Sequence, residues 1–175
     1  MLRTDMKKKN IIIRTVTFML IIMVFFIIFN FSSQNSDKST GTSNFVINAI
    51  ININPFTNNL GVAQKEAIKE KMKMPIRKLA HFSIYTILGI TTMCHVSTYA
   101  ISKYKRIGSS LSIGVLYAIS DEIHQLFVSG RSGQMTDVLI DSTGVLFGIG
   151  IVLVVRNIIM KNKKIKKEAS IKMQQ

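Results

Sequence analysis

The chain has 175 residues, 47% of them hydrophobic, and its 23 basic against 9 acidic side chains give a net charge of +14. Its mean hydropathy is positive, which excludes an ordinary soluble domain and points to a small integral membrane protein. Nucleic acid is not the partner this charge implies, because Lys and Arg lie almost wholly outside the apolar runs and no basic face interleaves with aromatic residues.

Four apolar runs approach the roughly 20 residues a helix needs to cross a hydrocarbon core. They are residues 11–31, 79–101, 107–128 and 138–155. The first follows a basic stretch, as in a signal peptide, but it exceeds a signal peptide's apolar core and no A-x-A site follows, so an uncleaved span is expected. Residues 32–78 form a long connection rich in Ser, Thr and Asn at its start. That start reads as a loop, and the apolar run Phe45–Ile53 is too short to span. Val62–Met74 has helical charge spacing, with Glu66 and Glu70 among Lys65, Lys69 and Lys73. Pro75 is expected to end that helix. The single Cys94 excludes an intramolecular disulfide.

Basic residues set the expected orientation. Arg3, Lys7, Lys8, Lys9 and Arg14 precede or open the first span. Lys103, Lys105 and Arg106 fill the loop between the second and third, and Arg156 with six lysines forms the 156–175 tail. All three groups fall on one side if four helices cross with both termini cytoplasmic. The fold expected is therefore all-α: a polytopic, multi-pass protein of the cell membrane, forming one domain over residues 1–175, with residues 32–78 external. Arg77 and Lys78, at the outer mouth of the second span, run against the charge rule and suggest a purpose other than topology.

Four of the nine acids, Asp121, Glu122, Asp137 and Asp141, lie between Ser120 and Gly148 with His124, Gln125 and Arg131. Ionisable groups at bilayer depth cost roughly 2.5–3.5 kcal/mol each, so such a cluster marks a functional site. His81 and Tyr85 share one face of the second span. Gly114, Tyr117, Asp121 and His124 form a stripe on the third, and Asp137, Asp141, Gly144 and Gly148 share a face on the fourth. With the assumed topology Asp121 sits about 9 Å below the outer edge of the core, so three spans bring their polar residues to one leaflet. The Gly144-x-x-x-Gly148 stripe suits close helix packing. Ser129–Gly133 reads as a tight external loop whose Arg131 could grip a phosphate or carboxylate. A metal held by Asp121, His124 and Asp141 is chemically allowed, but no H-E-x-x-H motif is present. No metal or other cofactor is expected.

The chain resembles the VanZ family, small membrane proteins linked to low-level teicoplanin resistance. The resemblance rests on F-S-S-Q at Phe31–Gln34, R-K-L-A-H-F-S-I-Y-T-I-L-G at Arg77–Gly89 and the long block Tyr117–Gly144. Two positions depart from the family pattern: Ile84 stands where an acid usually precedes the tyrosine, and Ser129 where a proline is common. Resistance to a lipoglycopeptide implies action at the outer leaflet, where cell-wall precursors meet the drug.

Three functions are open on these grounds. The favoured one binds or reorients a membrane lipid or lipid-linked cell-wall precursor. Its ligand-binding residues would be Arg77, Lys78, His81, Tyr85, Asp121, Glu122, Gln125, Arg131, Asp137 and Asp141. An enzyme acting on a lipid-linked substrate would use Asp121 or Glu122 with His81 or His124 as acid and base. A structural role would instead involve a membrane-protein partner or a homo-oligomer.

Overall fold

The computed structural model describes residues 2–57, 60–131 and 133–172, with side chains omitted at 2–9, 36–38 and 172. Arg3, Lys7, Lys8 and Lys9 thus contribute backbone alone, and Ser132 of the predicted loop lies outside the described residues. Five α-helices follow in order: α1 Leu2–Ser32, α2 Ser36–Ile53, α3 Val62–Val96, α4 Lys103–Gln125 and α5 Met135–Lys172. No strand occurs among the described residues. The all-α expectation holds.

Helices α1, α3 and α5 are each long and apolar enough to cross a membrane. Their surfaces fit a lipid solvent: Phe18, Ile22 and Phe26 on α1, and Leu139, Leu146 and Phe147 on α5, are exposed without forming an interior. Helix α4 has the length but a more polar sequence. Its outward side is nonetheless apolar at Leu116, Ile119 and Ile123, while Asp121, Glu122 and Gln125 are buried against protein.

Helix α3 organises the bundle, packing most extensively on α5 and also touching α1, α2 and α4. Glycine makes the α3–α5 approach so close. A Cβ at Gly89 would strike the Val145 carbonyl, and one at Gly148 the Thr86 carbonyl. At Gly144 it would come within 2.6 Å of the Phe82 carbonyl oxygen. The Gly144–Gly148 stripe is a backbone-to-backbone contact of the small-residue kind. Around it Tyr85, Leu88, Met93, Val145 and Ile149 form the buried core with Ile21, Val24 and Ile28 of α1 and Ala118 of α4.

Two stretches expected as irregular are helical. Helix α3 runs through Pro75 without a break, so the surface helix 62–74 and the second span are one element. Proline removes the bond to the Lys71 carbonyl. Both Pro75 and Lys71 are exposed, so solvent can offset that loss. The expected charge spacing is realised as Lys69–Glu66 at 2.6 Å and a Lys73–Glu70 pair. The Ser/Thr/Asn-rich segment is helical from Ser36 because Ser43, Ile47 and Ile51, four residues apart, bury one face; α2 packs on α3.

Polar clasps fix α1 at both ends. At one end Arg14 lies 4.2 Å over the Tyr99 ring and donates to the Thr98 carbonyl, and Thr17 Oγ1 meets His95 Nδ1 at 2.9 Å. At the other, Tyr117 donates to the Phe25 carbonyl at 2.7 Å and stacks on the Phe25 ring, and Ser33 Oγ meets His124 Nε2 at 3.1 Å.

Candidate functional site

The second of these ends gathers polar residues of α3, α4 and α5. On α3, Arg77, Lys78, His81 and Tyr85 fall on successive turns. On α4, Asp121, Glu122 and Gln125 lie at the C-terminal end, and on α5, Asp137 is in the first turn and Asp141 one turn further on. Buried carboxylates must be paired or hydrogen-bonded, and Asp137, Glu122 and Asp121 each meet this requirement differently.

Asp137 takes Lys78 as its partner, Nζ to Oδ1 at 2.8 Å, tying α5 to α3. Glu122 accepts the backbone N–H of Gln134 at 2.8 Å. It therefore supplies a carboxylate at the start of α5, where the unsatisfied N–H groups and the helix dipole favour negative charge. Asp121 accepts from Gln125 Nε2 at 3.3 Å, and Gln125 Oε1 accepts in turn from Arg131 Nη1 at 3.1 Å. Gln125 thus links the acid to the cation without direct contact.

Asp141 has no such partner. It is 0% exposed, and neither carboxylate oxygen accepts a hydrogen bond. His81 Nδ1 lies 3.6 Å from its Oδ1, too long for a hydrogen bond. His81, Asp121 and Asp141 each place one ligand atom within 4.8 Å of the other two. Tyr85, fully buried, brings its hydroxyl beside Asp121 without a well-formed hydrogen bond. These three are the residues that could hold a metal ion among those described.

Above this cluster opens a cavity of about 360 Å³ between α1, α2 and α3. Its walls are largely apolar, with Ile28, Phe31, Ala80, Ile84 and Ile87 among the lining residues, and Arg77, Arg131 and His81 supply its charged and titratable groups. Ile84 belongs to the apolar wall. Neither guanidinium forms an ion pair among the described residues. Burial pulls the Arg131 pKa below its usual value and the Arg77 charge pulls it further, while Asp121, Glu122 and Asp137 oppose the shift. The α4–α5 connection reaches this position through Gly130, whose φ of 75° is accessible to glycine with little strain.

The profile of the VanZ/LLP1 family matches residues 17–156, from the clasp at Thr17 to the beginning of the basic tail. The chain belongs to the VanZ/LLP1 family. No curated protein and no solved structure matches it. The matched region holds every member of the cluster and of the cavity wall named above.

Of the residues singled out in the sequence, His81, Tyr85, Asp121, Gln125, Arg131 and Asp141 converge, and Arg77 joins them at the cavity. Lys78 with Asp137, and Glu122 with the start of α5, are adjacent but occupied by structural partners. His124 is elsewhere. It stacks on Phe29 at 4.7 Å and bonds Ser33, so His81 occupies the place that the set Asp121, His124 and Asp141 gave to His124. Contributions the sequence did not reveal come from α1 and α2: the Phe31 carbonyl accepts from Arg131 Nη2 at 3.4 Å, and Gln34, Ser39 and Ser43 line the cavity. For Phe31 and Gln34 the F-S-S-Q motif was the signal, visible without an assignable role; Ser39 and Ser43 had none.

Proposed function

We propose that the chain binds the anionic headgroup of a membrane lipid or lipid-linked cell-wall precursor in the cavity between α1, α2 and α3, at the outer leaflet of the cell membrane. One observation carries this reading: two guanidiniums, Arg77 and Arg131, share a largely apolar cavity and lack carboxylate partners among the described residues. A planar guanidinium matches phosphate oxygens bidentately, and the apolar wall suits the first methylenes of a chain. A cavity of about 360 Å³ takes a headgroup and the start of its chains, leaving the remainder in the bilayer.

In this arrangement α4 spans the membrane as well, third of four, both termini are cytoplasmic, and the clustered lysines of the tail lie at the inner surface. The burial of Asp121, Glu122 and Gln125 against α3 and α5 supports α4 as a span, because its outward face is the apolar one. Sequestering or reorienting such a lipid would alter access of a lipoglycopeptide to its outer-leaflet target, and teicoplanin resistance follows as the expected phenotype.

The test is the lipid that stays with the protein. Chain purified in mild detergent should retain lipids enriched in anionic headgroups relative to the host membrane, and an Arg77→Ala/Arg131→Ala variant should lose that enrichment. Retained lipid matching the bulk membrane would sink the reading. A second reading, hydrolysis of a lipid-linked substrate, draws on His81 and Asp141 at 3.6 Å as an acid–base pair below the cavity; release of a cleaved headgroup during incubation would favour it.

A further inference from the structure

We infer that His81, Asp121 and Asp141 form a binding site for one divalent first-row cation of the zinc or manganese kind. The three residues come from α3, α4 and α5, and their ligand atoms already lie within 4.8 Å of one another. A cation holding its ligands at about 2.0–2.2 Å separates them by roughly 3–4 Å. The 3.6 Å between His81 Nδ1 and Asp141 Oδ1 falls in that range. Small rotations bring Asp121 in.

The independent observation is Asp141. It is fully buried with both oxygens unpartnered, and His81 Nδ1 is unpartnered as well. Neighbouring cations do not answer this need. Lys78 is engaged with Asp137, and Arg131 Nη1 donates to Gln125 rather than to a carboxylate. Two aspartates and a neutral imidazole carry a charge of −2, which a divalent ion balances exactly in sign and number. Imidazole with two carboxylates suits zinc, manganese or iron(II) better than magnesium, whose preference is for oxygen alone. Three protein ligands leave a coordination position open, and His81 also lines the cavity. Gln125, bonded to Asp121, orients that ligand from behind.

Neither the ion nor its ligands depend on a lipid being bound above them, so the test uses metal alone. Tag-free chain in detergent is stripped with EDTA, exchanged into chelator-free buffer and titrated calorimetrically with ZnCl2 and with MnCl2. The expected result is saturable binding of one ion per chain for at least one metal. Affinity should fall 10-fold or more in both Asp141→Asn and His81→Ala, and should be unchanged in His95→Ala, a histidine at the opposite end of the bundle. Circular dichroism and gel filtration establish that each variant is folded; should Asp141→Asn fail there, His81→Gln and Asp121→Asn replace it. Absence of saturable binding by the wild-type chain for both metals overturns the inference. So does equal affinity in the wild type and in a folded ligand variant.

Discussion

Arg131 Nη2 donates to the carbonyl of Phe31, 100 positions earlier in the chain, at 3.4 Å. This bond ties the α4–α5 connection to the last turn of α1, and its other nitrogen, Nη1, reaches Gln125 and through it Asp121. One guanidinium therefore spans from the rim of the cavity to the buried acids. Its Nε is buried without a hydrogen-bond partner, and of its five N–H donors a second hydrogen on each Nη remains for an anion.

The Lys78–Asp137 pair is half-buried, with side-chain exposures of 30% and 14%. Lys78→Ala should destabilise the chain by about 1–2 kcal/mol, more than an exposed pair contributes and less than a fully buried one. Thermal unfolding in detergent measures it, as a fall of roughly 2–8 °C. The exchange Lys78→Asp with Asp137→Lys should recover part of the loss. No recovery would mean that the two charges do not act as a pair.

Glycine tolerance should differ sharply along α5. A side chain at Gly148 meets the α3 backbone, whereas one at Gly150 meets nothing within 4 Å. Gly148→Leu should cost about 1–3 kcal/mol or prevent accumulation in the membrane, and Gly150→Leu should stay within about 0.5 kcal/mol of the parent. Comparable behaviour of the two variants would contradict the close α3–α5 approach.

Orientation can be read with single cysteines in a Cys94→Ser background. Gly41→Cys on α2 and Lys105→Cys at the start of α4 are both at exposed positions. Membrane-impermeant maleimide applied to intact cells should label the first and leave the second until the membrane is opened. The reverse pattern would invert the topology and remove the cavity from the outer leaflet.

Loss of His124 should leave the acid cluster intact. His124→Ala breaks the bond to Ser33 and the stacking on Phe29, loosening α1 by about 1–2 kcal/mol. Its metal and lipid affinities should remain near the parent values. A loss equal to that of His81→Ala would show that the two histidines act together.

The apolar runs and their polar interruptions made three helices long and apolar enough to span, and the convergence of α3, α4 and α5, readable, because hydropathy and helical spacing are local properties of the chain. What stayed hidden depended on partners. Asp121 and His124 are three residues apart, which on a helix of 3.6 residues per turn leaves them about 60° apart. That is enough to send Asp121 toward α3 and α5, and His124 toward α1. Nothing within α4 announces which neighbour each will meet. Likewise Ser43, Ile47 and Ile51 make a helix of a Ser/Asn-rich segment only because α3 lies there to cover them, and Pro75 is accommodated because its side of α3 faces solvent. The F-S-S-Q motif could not be assigned until its Ser33 met His124 and its Phe31 carbonyl met Arg131.

The central claim is that Arg77 and Arg131 together receive an anionic lipid headgroup. Native mass spectrometry of the delipidated chain with added phosphatidylglycerol or phosphatidylcholine tests it most directly. A charge-assisted contact is worth about 1.5–3 kcal/mol, or roughly 10- to 150-fold in affinity. The wild-type chain should prefer phosphatidylglycerol, each single alanine variant should lose at least about tenfold of that affinity, and the double variant should bind the two lipids alike. Equal binding of both lipids by the wild-type chain, or an undiminished preference in the double variant, would contradict the account.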